Sequence, residues 1–284
     1  MLTTPDAVLA QQGGGAEESE PADEIVVQGR VPDREAGRDL AAEITRRVEY
    51  GTPLARFHLP VCPKVSGIHP TLGDALSARI RENASEMGLA VGGADCKSNI
   101  VVAFVVDAGR EVYSLINDAR WAFGTLEPSE RERIAGETGF TRAWHVSVLG
   151  DENGAAIRDA KGPVVNNVSI ATRLAAPVTR LVTASVVLME LAAIDGKTVE
   201  QIADFATMRA LAPVTEINEA TGEPESILAL FSDPAPAEGL TIFDRSYLSA
   251  YYSLRLRNRP ASSTLNAVGR EYAEAVIDGG TETE

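Results

Sequence analysis

The first half of the chain alternates short apolar runs with amphipathic segments. Residues 99–106 form an apolar run without alternation, which predicts a central strand covered on both faces. Similar patterns predict further strands at 24–29, 54–61, 143–149 and 164–171, and helices at 33–49, 72–87, 109–117 and 128–136.

The second half is predicted to be mainly helical. Within it, Thr198 followed three residues later by Gln201 forms a capping box, which marks the start of a helix. The predicted helical segments are 183–194, 198–211, 240–252 and 262–277. The predicted strands lie mostly in the first half of the chain, whereas the second half is mainly helical. This order favours an α+β fold with a mixed sheet in the first half. No linker separates independent units after residue 23, so residues 24–284 are predicted to form one domain.

The N-terminal residues differ in composition from the rest of the chain. Val8-Leu9-Ala10 matches the small-x-small pattern that signal peptidase recognises, although the charged and apolar regions of a signal peptide are missing before it. Either the true start lies upstream of Met1 or the match is chance. Residues 13–23 are rich in glycine and then in acidic residues, which predicts a disordered tether. We therefore interpret residues 1–23 as an export remnant and tether, and the protein as periplasmic or secreted.

The chain is strongly acidic, with 41 acidic against 26 basic side chains and a formal net charge of −15. This charge repels nucleic-acid phosphates, and no cluster of basic residues offsets it locally. The longest apolar stretch, residues 181–194, is too short to span a bilayer and is interrupted by polar residues. The sequence therefore predicts neither nucleic-acid binding nor a membrane span.

The chain has two cysteines, Cys62 and Cys96, and each lies next to a predicted strand. Neighbouring strand ends would bring them within bonding distance, which predicts a disulfide in an oxidising compartment. Two alternatives stay open at this stage. Both residues would be buried small hydrophobes in a cytosolic protein, or they would bind a metal together with a histidine, although no Cys-x-x-Cys spacing supports this.

Most motifs that carry chemistry are missing from the sequence. There is no phosphate-binding loop, dinucleotide fingerprint, nucleophile elbow or His-Glu-x-x-His helix. The three histidines, His58, His69 and His145, lack the spacing of helical metal ligands. A metal site would need all three to converge, so surface or hydrogen-bonded histidines are the simpler interpretation.

Glu190 is a carboxylate inside an apolar segment, 183–194. On the predicted helix its neighbours at one turn are apolar, so an inward-facing Glu190 needs a charged partner. Arg180 and Arg209 are the candidates. The alternative is that Glu190 lies on the narrow solvent face of a mostly buried helix.

The segment Met-Glu-Leu-Ala-Ala-Ile-Asp-Gly at 189–196 resembles the His-Glu-x-x-His-x-x-Gly helix of zincin metallopeptidases. Ala-Thr-Met at 206–208 resembles the methionine turn of that class, and residues 243–251 resemble a helix near the end of exported, zincin-like bacterial proteins of unknown function. The resemblance covers about the last third of the chain. It implies a zincin-like fold.

The resemblance also implies a degenerate site, which comprises Met189, Glu190, Ala193, Gly196 and Met208. Glu190 and Gly196 stand at the general-base and turn positions, whereas Met189 and Ala193 replace the two zinc-binding histidines. A thioether and a methyl group do not bind zinc as imidazoles do, so no metal-bound water is available to the base. The resemblance therefore implies no bound metal, no cofactor and no catalytic residue.

These observations favour an exported, non-catalytic envelope protein, on a degenerate metallopeptidase scaffold, that binds a peptide or protein partner. The first alternative is an active hydrolase with an unrecognised site that uses His58, His69 or His145. The second is a purely structural protein without a concave pocket. The sequence sets no ligand and no oligomeric state.

Overall fold

The structure, a computed structural model, describes residues 34–47, 53–151, 179–219, 225–253 and 258–281. All described residues belong to one compact unit, residues 32–284. The predicted tether, the domain boundary after residue 23 and the strands at 24–29 and 164–171 lie outside the described residues.

The described strands form one five-stranded mixed sheet. The longest strand, β5, pairs antiparallel with β4 on one side, and on the other side it pairs parallel with β1 and β3. The short strand β2 continues the sheet beyond β3, also in parallel. The strands are β1 (Arg56–Phe57), β2 (Pro63–Ser66), β3 (Ile100–Val105), β4 (Thr141–Gly150) and β5 (Thr179–Glu190).

Seven α-helices surround this sheet within the described ranges, and the α+β prediction is confirmed. None of them is long and apolar enough to cross a membrane. They are α1 (Arg34–Ile44), α2 (Pro70–Glu86), α3 (Ala108–Asp118), α4 (Pro128–Ala135), α5 (Val199–Leu211), α6 (Ile242–Tyr252) and α7 (Ala261–Thr281). Short 3₁₀ turns cover Arg120–Phe123, Leu191–Ala193 and Ile227–Ala229.

Strand β3 shows how the two faces of the sheet are covered. Ile100, Val102 and Phe104 are buried in the core formed with α2 and α5. Ala103 and Val105 point to the opposite face and pack on the cluster that α3 and α4 form. The prediction of a central strand covered on both faces is therefore confirmed for β3.

The helix predicted at 183–194 is wrong, because this segment forms most of β5 and a following 3₁₀ turn. Val187 and Met189 face the core on the α2–α5 side, and Leu188 faces the α3–α4 side. A strand covered on both faces is apolar without alternation, and periodicity does not distinguish it from a buried helix. The second half of the chain thus supplies the middle of the sheet as well as helices.

The capping box predicted at the start of α5 is present. The Thr198 hydroxyl accepts from the Gln201 amide at 3.1 Å, and the Gln201 side chain accepts from the Thr198 amide at 3.0 Å. Every residue from 201 to 211 is buried, because α5 lies between the sheet, α2 and α6. The helix is thus fixed by its own sequence at one end and by packing along its length.

The predicted disulfide is present in the structure, with the Cα atoms of Cys62 and Cys96 6.0 Å apart. Cys62 follows a parallel bridge between Val61 and Val91. It also leads into β2, while Cys96 lies in the loop before β3. The disulfide therefore joins the loop after α2 to the segment between β1 and β2.

Replacing both Cys62 and Cys96 with serine should lower the free energy of unfolding by about 4 kcal/mol. The bond closes a loop with a sequence separation of 34 residues, and a loop of this size restricts the unfolded chain by roughly that free energy. Urea unfolding of the oxidised wild type and the double variant, followed by circular dichroism, measures the difference. A loss below about 1 kcal/mol would contradict the expected contribution.

Candidate functional site

The residues of the degenerate site do not form a helical motif in this structure. Met189 is fully buried in β5, and Ala193 lies in the 3₁₀ turn that follows. Gly196 has a φ of +73° in the next loop, and Met208 is buried in the middle of α5. Since residues 189 and 193 are not one helical turn apart, histidines introduced there would not share one face of a helix.

Glu190 ends β5, and its partner is the start of α3. Its Oε1 accepts a hydrogen bond from the backbone amide of Ala108 at 3.1 Å. The predicted partners are engaged elsewhere: Arg180 donates to the Ser147 hydroxyl, and Arg209 donates to the Val214 carbonyl. Glu190 therefore accepts from the first amide of α3, a helix whose N-cap residue is Asp107.

The position of Glu190 is one at which α/β proteins commonly bind ligands. The connection after β3 leads to α3 on one face of the sheet, and the connection after β5 leads to α5 on the opposite face. Ligands, often anions at a helix N-terminus, occupy the crevice at such divergence points. Here the amide of Ala108 already donates its hydrogen bond to a carboxylate of the chain itself, that of Glu190.

The three histidines lie on separate elements. His58 follows β1, His69 precedes α2, and His145 is in β4. Within the described ranges, no group of three or more His, Cys, Asp or Glu side chains is arranged to hold a metal ion. Nε2 of His145 lies 2.9 Å from the Ala210 carbonyl, and burial lowers the pKa of this imidazole to about 3. His145 is therefore neutral at physiological pH.

Two fully buried aspartates, Asp204 and Asp244, hold neighbouring segments together. Asp204 accepts hydrogen bonds from Arg79, Asn83 and the amide of Leu240. Asp244 accepts four, and burial raises its pKa to about 6. Its donors are Ser226 Oγ, Ile227 N, Thr241 N and Thr241 Oγ1. Because their oxygens are occupied by structural donors, neither aspartate is a candidate for chemistry.

An open groove of about 820 Å³ runs between α6, α7 and the C-terminal end of α2. Four carboxylates and one guanidinium line it, together with serines of α6. The carboxylates are Glu86, Glu271, Glu274 and Asp278, and the guanidinium is that of Arg245. Arg245 is paired with Glu86 at 2.8 Å. The groove therefore carries a negative charge concentrated on α7, and we call it the acidic groove.

A smaller and less open cavity of about 170 Å³ adjoins the acidic groove. Gly88, Tyr252 and Ser253 line both spaces, and together we call them the cleft. The inner cavity is lined by β1, the residues that follow it and the loop after α2, and its lining is both polar and apolar, with Arg56 and His58 among the polar residues. Its apolar lining consists of Phe57, Leu59, Leu89 and Ala90.

Buried polar contacts hold the inner end of the cleft in place. The guanidinium of Arg56 is buried, donates to the Tyr251 carbonyl and to the Thr264 hydroxyl, and lies 4.9 Å from the centroid of the Tyr251 ring. The hydroxyl of Tyr252 donates to the Leu211 carbonyl at 2.6 Å. These contacts join β1, α5, α6 and α7, so the cavity does not depend on a ligand for its shape.

The electrostatics of the acidic groove favour a positively charged ligand. Partial burial, followed by the nearby charge of Glu274, raises the pKa of Glu271, while a hydrogen bond from Ser249 and the charge of Arg270 oppose the rise. A cation placed beside these two carboxylates would relieve both effects, because it stabilises the ionised form of each.

Sequence reasoning missed the cleft because three segments far apart in the chain form it. One local signal was available on the predicted helix at 262–277: Glu271, Glu274 and Asp278 are spaced by three and four residues and so share one helix face. The Tyr and Ser residues of α6 that oppose them carry no such signal. Neither the family models nor the curated proteins nor the solved structures contain a match to this chain.

Proposed function

We propose that this protein is an exported, non-catalytic binding protein that takes a peptide, or an extended segment of a protein partner, in the cleft. The observation that carries the proposal is that an open acidic groove and a smaller cavity with both apolar and polar lining lie side by side. An extended chain lies along an open groove and places one side chain into a pocket at its end, which is a common mode of peptide recognition.

The size of the inner cavity fits one bulky side chain. A protein cavity of about 150 Å³ is large enough for a benzene ring, and the cavity here measures about 170 Å³. A side chain buried in such a pocket contributes most of the affinity of a peptide ligand, because it removes apolar surface from water at a rigid site. We therefore expect a leucine, methionine or phenylalanine as the anchor.

The charge of the groove selects the residues next to that anchor. Glu271, Glu274 and Asp278 of α7 line one wall, and lysine or arginine side chains of a ligand would lie against them. Complementary charge of this kind raises the association rate and excludes acidic competitors more than it adds affinity. The proposed ligand is thus a basic segment with one bulky apolar residue.

The cysteine chemistry supports the proposal of an exported protein. A disulfide between Cys62 and Cys96 supports an oxidising compartment, in agreement with the small-x-small pattern at Val8-Leu9-Ala10. Membership in the zincin-like group stays a prediction, and peptide binding in the cleft does not depend on it.

Selection of random ten-residue peptides displayed on phage, with the purified wild-type protein as bait, should enrich sequences with lysine or arginine beside a bulky apolar residue. The substitution Ser249→Trp should then weaken binding of a selected peptide at least tenfold, because Ser249 is exposed in the groove and an indole would fill it. Fluorescence anisotropy of the labelled peptide measures the dissociation constant.

The matched control is Ser129→Trp, which adds the same indole at an exposed position of α4 outside the cleft. It should leave the dissociation constant unchanged. Equal binding of the selected peptides by the Ser249→Trp variant, or no enrichment at all, would refute the proposal. Mass spectrometry of the peptide after incubation tests the hydrolase alternative, which cleavage at a defined bond would support.

Neutralising the α7 wall with Glu271→Gln and Glu274→Gln should weaken binding of a basic peptide about fivefold to tenfold at low salt, with a smaller effect at high salt. The control pair, Glu130→Gln and Glu132→Gln, removes the same charge from exposed positions of α4. Anisotropy titrations at two salt concentrations make the comparison. Equal losses in both double variants would mean that net charge, and not the groove, attracts the peptide.

A further inference from the structure

The disulfide lies beside a fixed arginine. Nη2 of Arg81 is 3.6 Å from Sγ of Cys96 and 4.0 Å from Sγ of Cys62. Nη1 of the same guanidinium donates to the carbonyl of Gly92 at 2.7 Å, and this bond holds the cation against both sulfurs. A neighbouring cation stabilises thiolate, which is both the attacking and the leaving species in thiol–disulfide exchange.

The two cysteine residues differ in their exposure to solvent. Cys62 is 4% exposed, whereas Cys96 is partly exposed in the loop before β3. An incoming thiolate therefore reaches Sγ of Cys96 first, and Cys62 becomes the leaving group. This asymmetry gives the exchange a single expected mixed disulfide, on Cys96.

The disulfide also supports one wall of the cleft. Gly92 packs directly on it, because a Cβ at this position would lie only 2.6 Å from Cβ of Cys96. The Gly92 amide donates to the Val61 carbonyl at 2.9 Å, and the Val61 amide donates to the Ala90 carbonyl at 2.8 Å. Since Ala90 lines the inner cavity, the disulfide, this short ladder and the cavity wall are directly connected.

We propose that Cys62–Cys96 is an exchangeable disulfide that a dithiol reduces in the folded protein, and that reduction releases the wall formed by residues 88–92. The thiolate of the dithiol bonds to Sγ of Cys96 while the bond between the two protein sulfurs breaks. The electron pair of that bond leaves on Sγ of Cys62, beside Arg81, and this thiolate then takes a proton. The second thiol of the reagent displaces Cys96 and closes the reagent's own disulfide.

In this reaction the chain gains two electrons and two protons and the dithiol loses them. The release of the wall follows from the loss of the link between Cys62 and the loop that ends at Cys96. Exchange and wall release are both measurable without a peptide ligand, so they hold or fail independently of the function proposed for the cleft.

The rate test uses dithiothreitol under native conditions, with alkylation of free thiols and mass spectrometry as the readout. Arg81→Gln should slow reduction about threefold to tenfold, because the leaving thiolate loses its cation. Arg81→Lys keeps the charge and should react at close to the wild-type rate. Arg110→Gln, at a position far more exposed than Arg81 and away from the sulfurs, should not change the rate.

Two measurements on the wild type need no substitution. Glutathione in excess should give a mixed disulfide on Cys96 and not on Cys62 in tandem mass spectrometry. Hydrogen exchange of a peptide covering residues 88–92 should accelerate at least tenfold on reduction, while exchange of β3 stays unchanged.

Three results would overturn the proposal. The first is a wild-type reduction rate equal to the rate of global unfolding, since the disulfide would then react only in the unfolded chain. The second is equal reduction of the wild type and a folded Arg81→Gln variant. The third is unchanged hydrogen exchange of residues 88–92 in the reduced protein.

Discussion

Replacing Asp204 with alanine should lower the free energy of unfolding by about 2–4 kcal/mol, because buried hydrogen bonds are lost. The carboxylate is fully buried and receives Nε of Arg79 at 2.9 Å, Nη2 of Arg79 at 3.2 Å, the Asn83 amide at 2.6 Å and the Leu240 backbone amide at 2.8 Å. Its removal leaves the Leu240 amide without its acceptor and takes one acceptor from Arg79 and one from Asn83, which keep Glu82 and Thr207. Each unpaired buried donor costs free energy that water does not restore.

Thermal and urea unfolding of the Asp204→Ala variant measure this loss. Asp195→Ala is the matched control, because Asp195 is exposed in the loop before α5, and its change should stay within about 0.5 kcal/mol. Asp204→Asn keeps one acceptor oxygen, so its loss in the free energy of unfolding should lie between those of the two alanine variants. If Asp204→Ala costs no more than Asp195→Ala, the contacts of Asp204 contribute no net stability.

The buried imidazole of His145 should make the protein less stable in mild acid. Its pKa in the folded protein is lowered to about 3 by burial, against an ordinary value of 6.5, so the unfolded chain binds the proton more readily. The folding free energy that the neutral imidazole contributes is therefore complete above pH 6.5, and it is lost as the pH falls toward 3. Between pH 7 and pH 5 the loss amounts to about 2 kcal/mol.

Asp244 has the opposite effect on stability in the same pH range. Its pKa is raised to about 6 in the folded protein, so the folded state takes up a proton there and gains stability as the pH falls. The contribution of His145 is thus the difference between the wild type and His145→Gln, whose glutamine does not titrate. Urea unfolding of both proteins at pH 7 and pH 5 should show the stability gap narrowing by about 2 kcal/mol. A constant gap would mean that His145 titrates normally in the folded protein.

The elements that were predicted well are those whose signals are local. The start of α5 depends on Thr198 and Gln201, three residues apart, and the structure has the predicted capping box. Helices α2, α3 and α4 follow from apolar spacing and from proline or glycine at their ends. For each of these, the residues that decide the structure lie within a few positions of one another.

Strand β5 was mispredicted because its partners are far away in the chain. Val187 pairs with Ala143 of β4 and with Val102 of β3, and neither partner is visible in a window of ten residues. The valines and threonines of 179–187 favour a strand, whereas the alanines and leucines that follow favour a helix. The surroundings predicted for Glu190 were wrong for the same reason, because residues three and four positions away are not its neighbours in a strand.

The sequence does not predict which segments of the chain form the two walls of the cleft. The spacing of Glu271, Glu274 and Asp278 on the predicted helix at 262–277 was a local signal for one wall, but no signal pointed to the end of α2 or the serines of α6 opposite it. The disulfide was predicted because both cysteines adjoin strands, whereas the place of Arg81 beside the sulfurs depends on how α2 packs on the loop that follows it.

Helix α5 has almost no outward surface, and this restricts how its sequence can vary. A typical helix accepts substitution along a polar stripe, but every position from 201 to 211 faces a neighbour. Ala203, Ala206 and Ala210 are fully buried, and a larger side chain at any of them would displace a packed group. Only Val199 and Glu200, at the first turn, are exposed. Random variation of this segment should therefore be tolerated at its first turn and rejected at nearly every position after it.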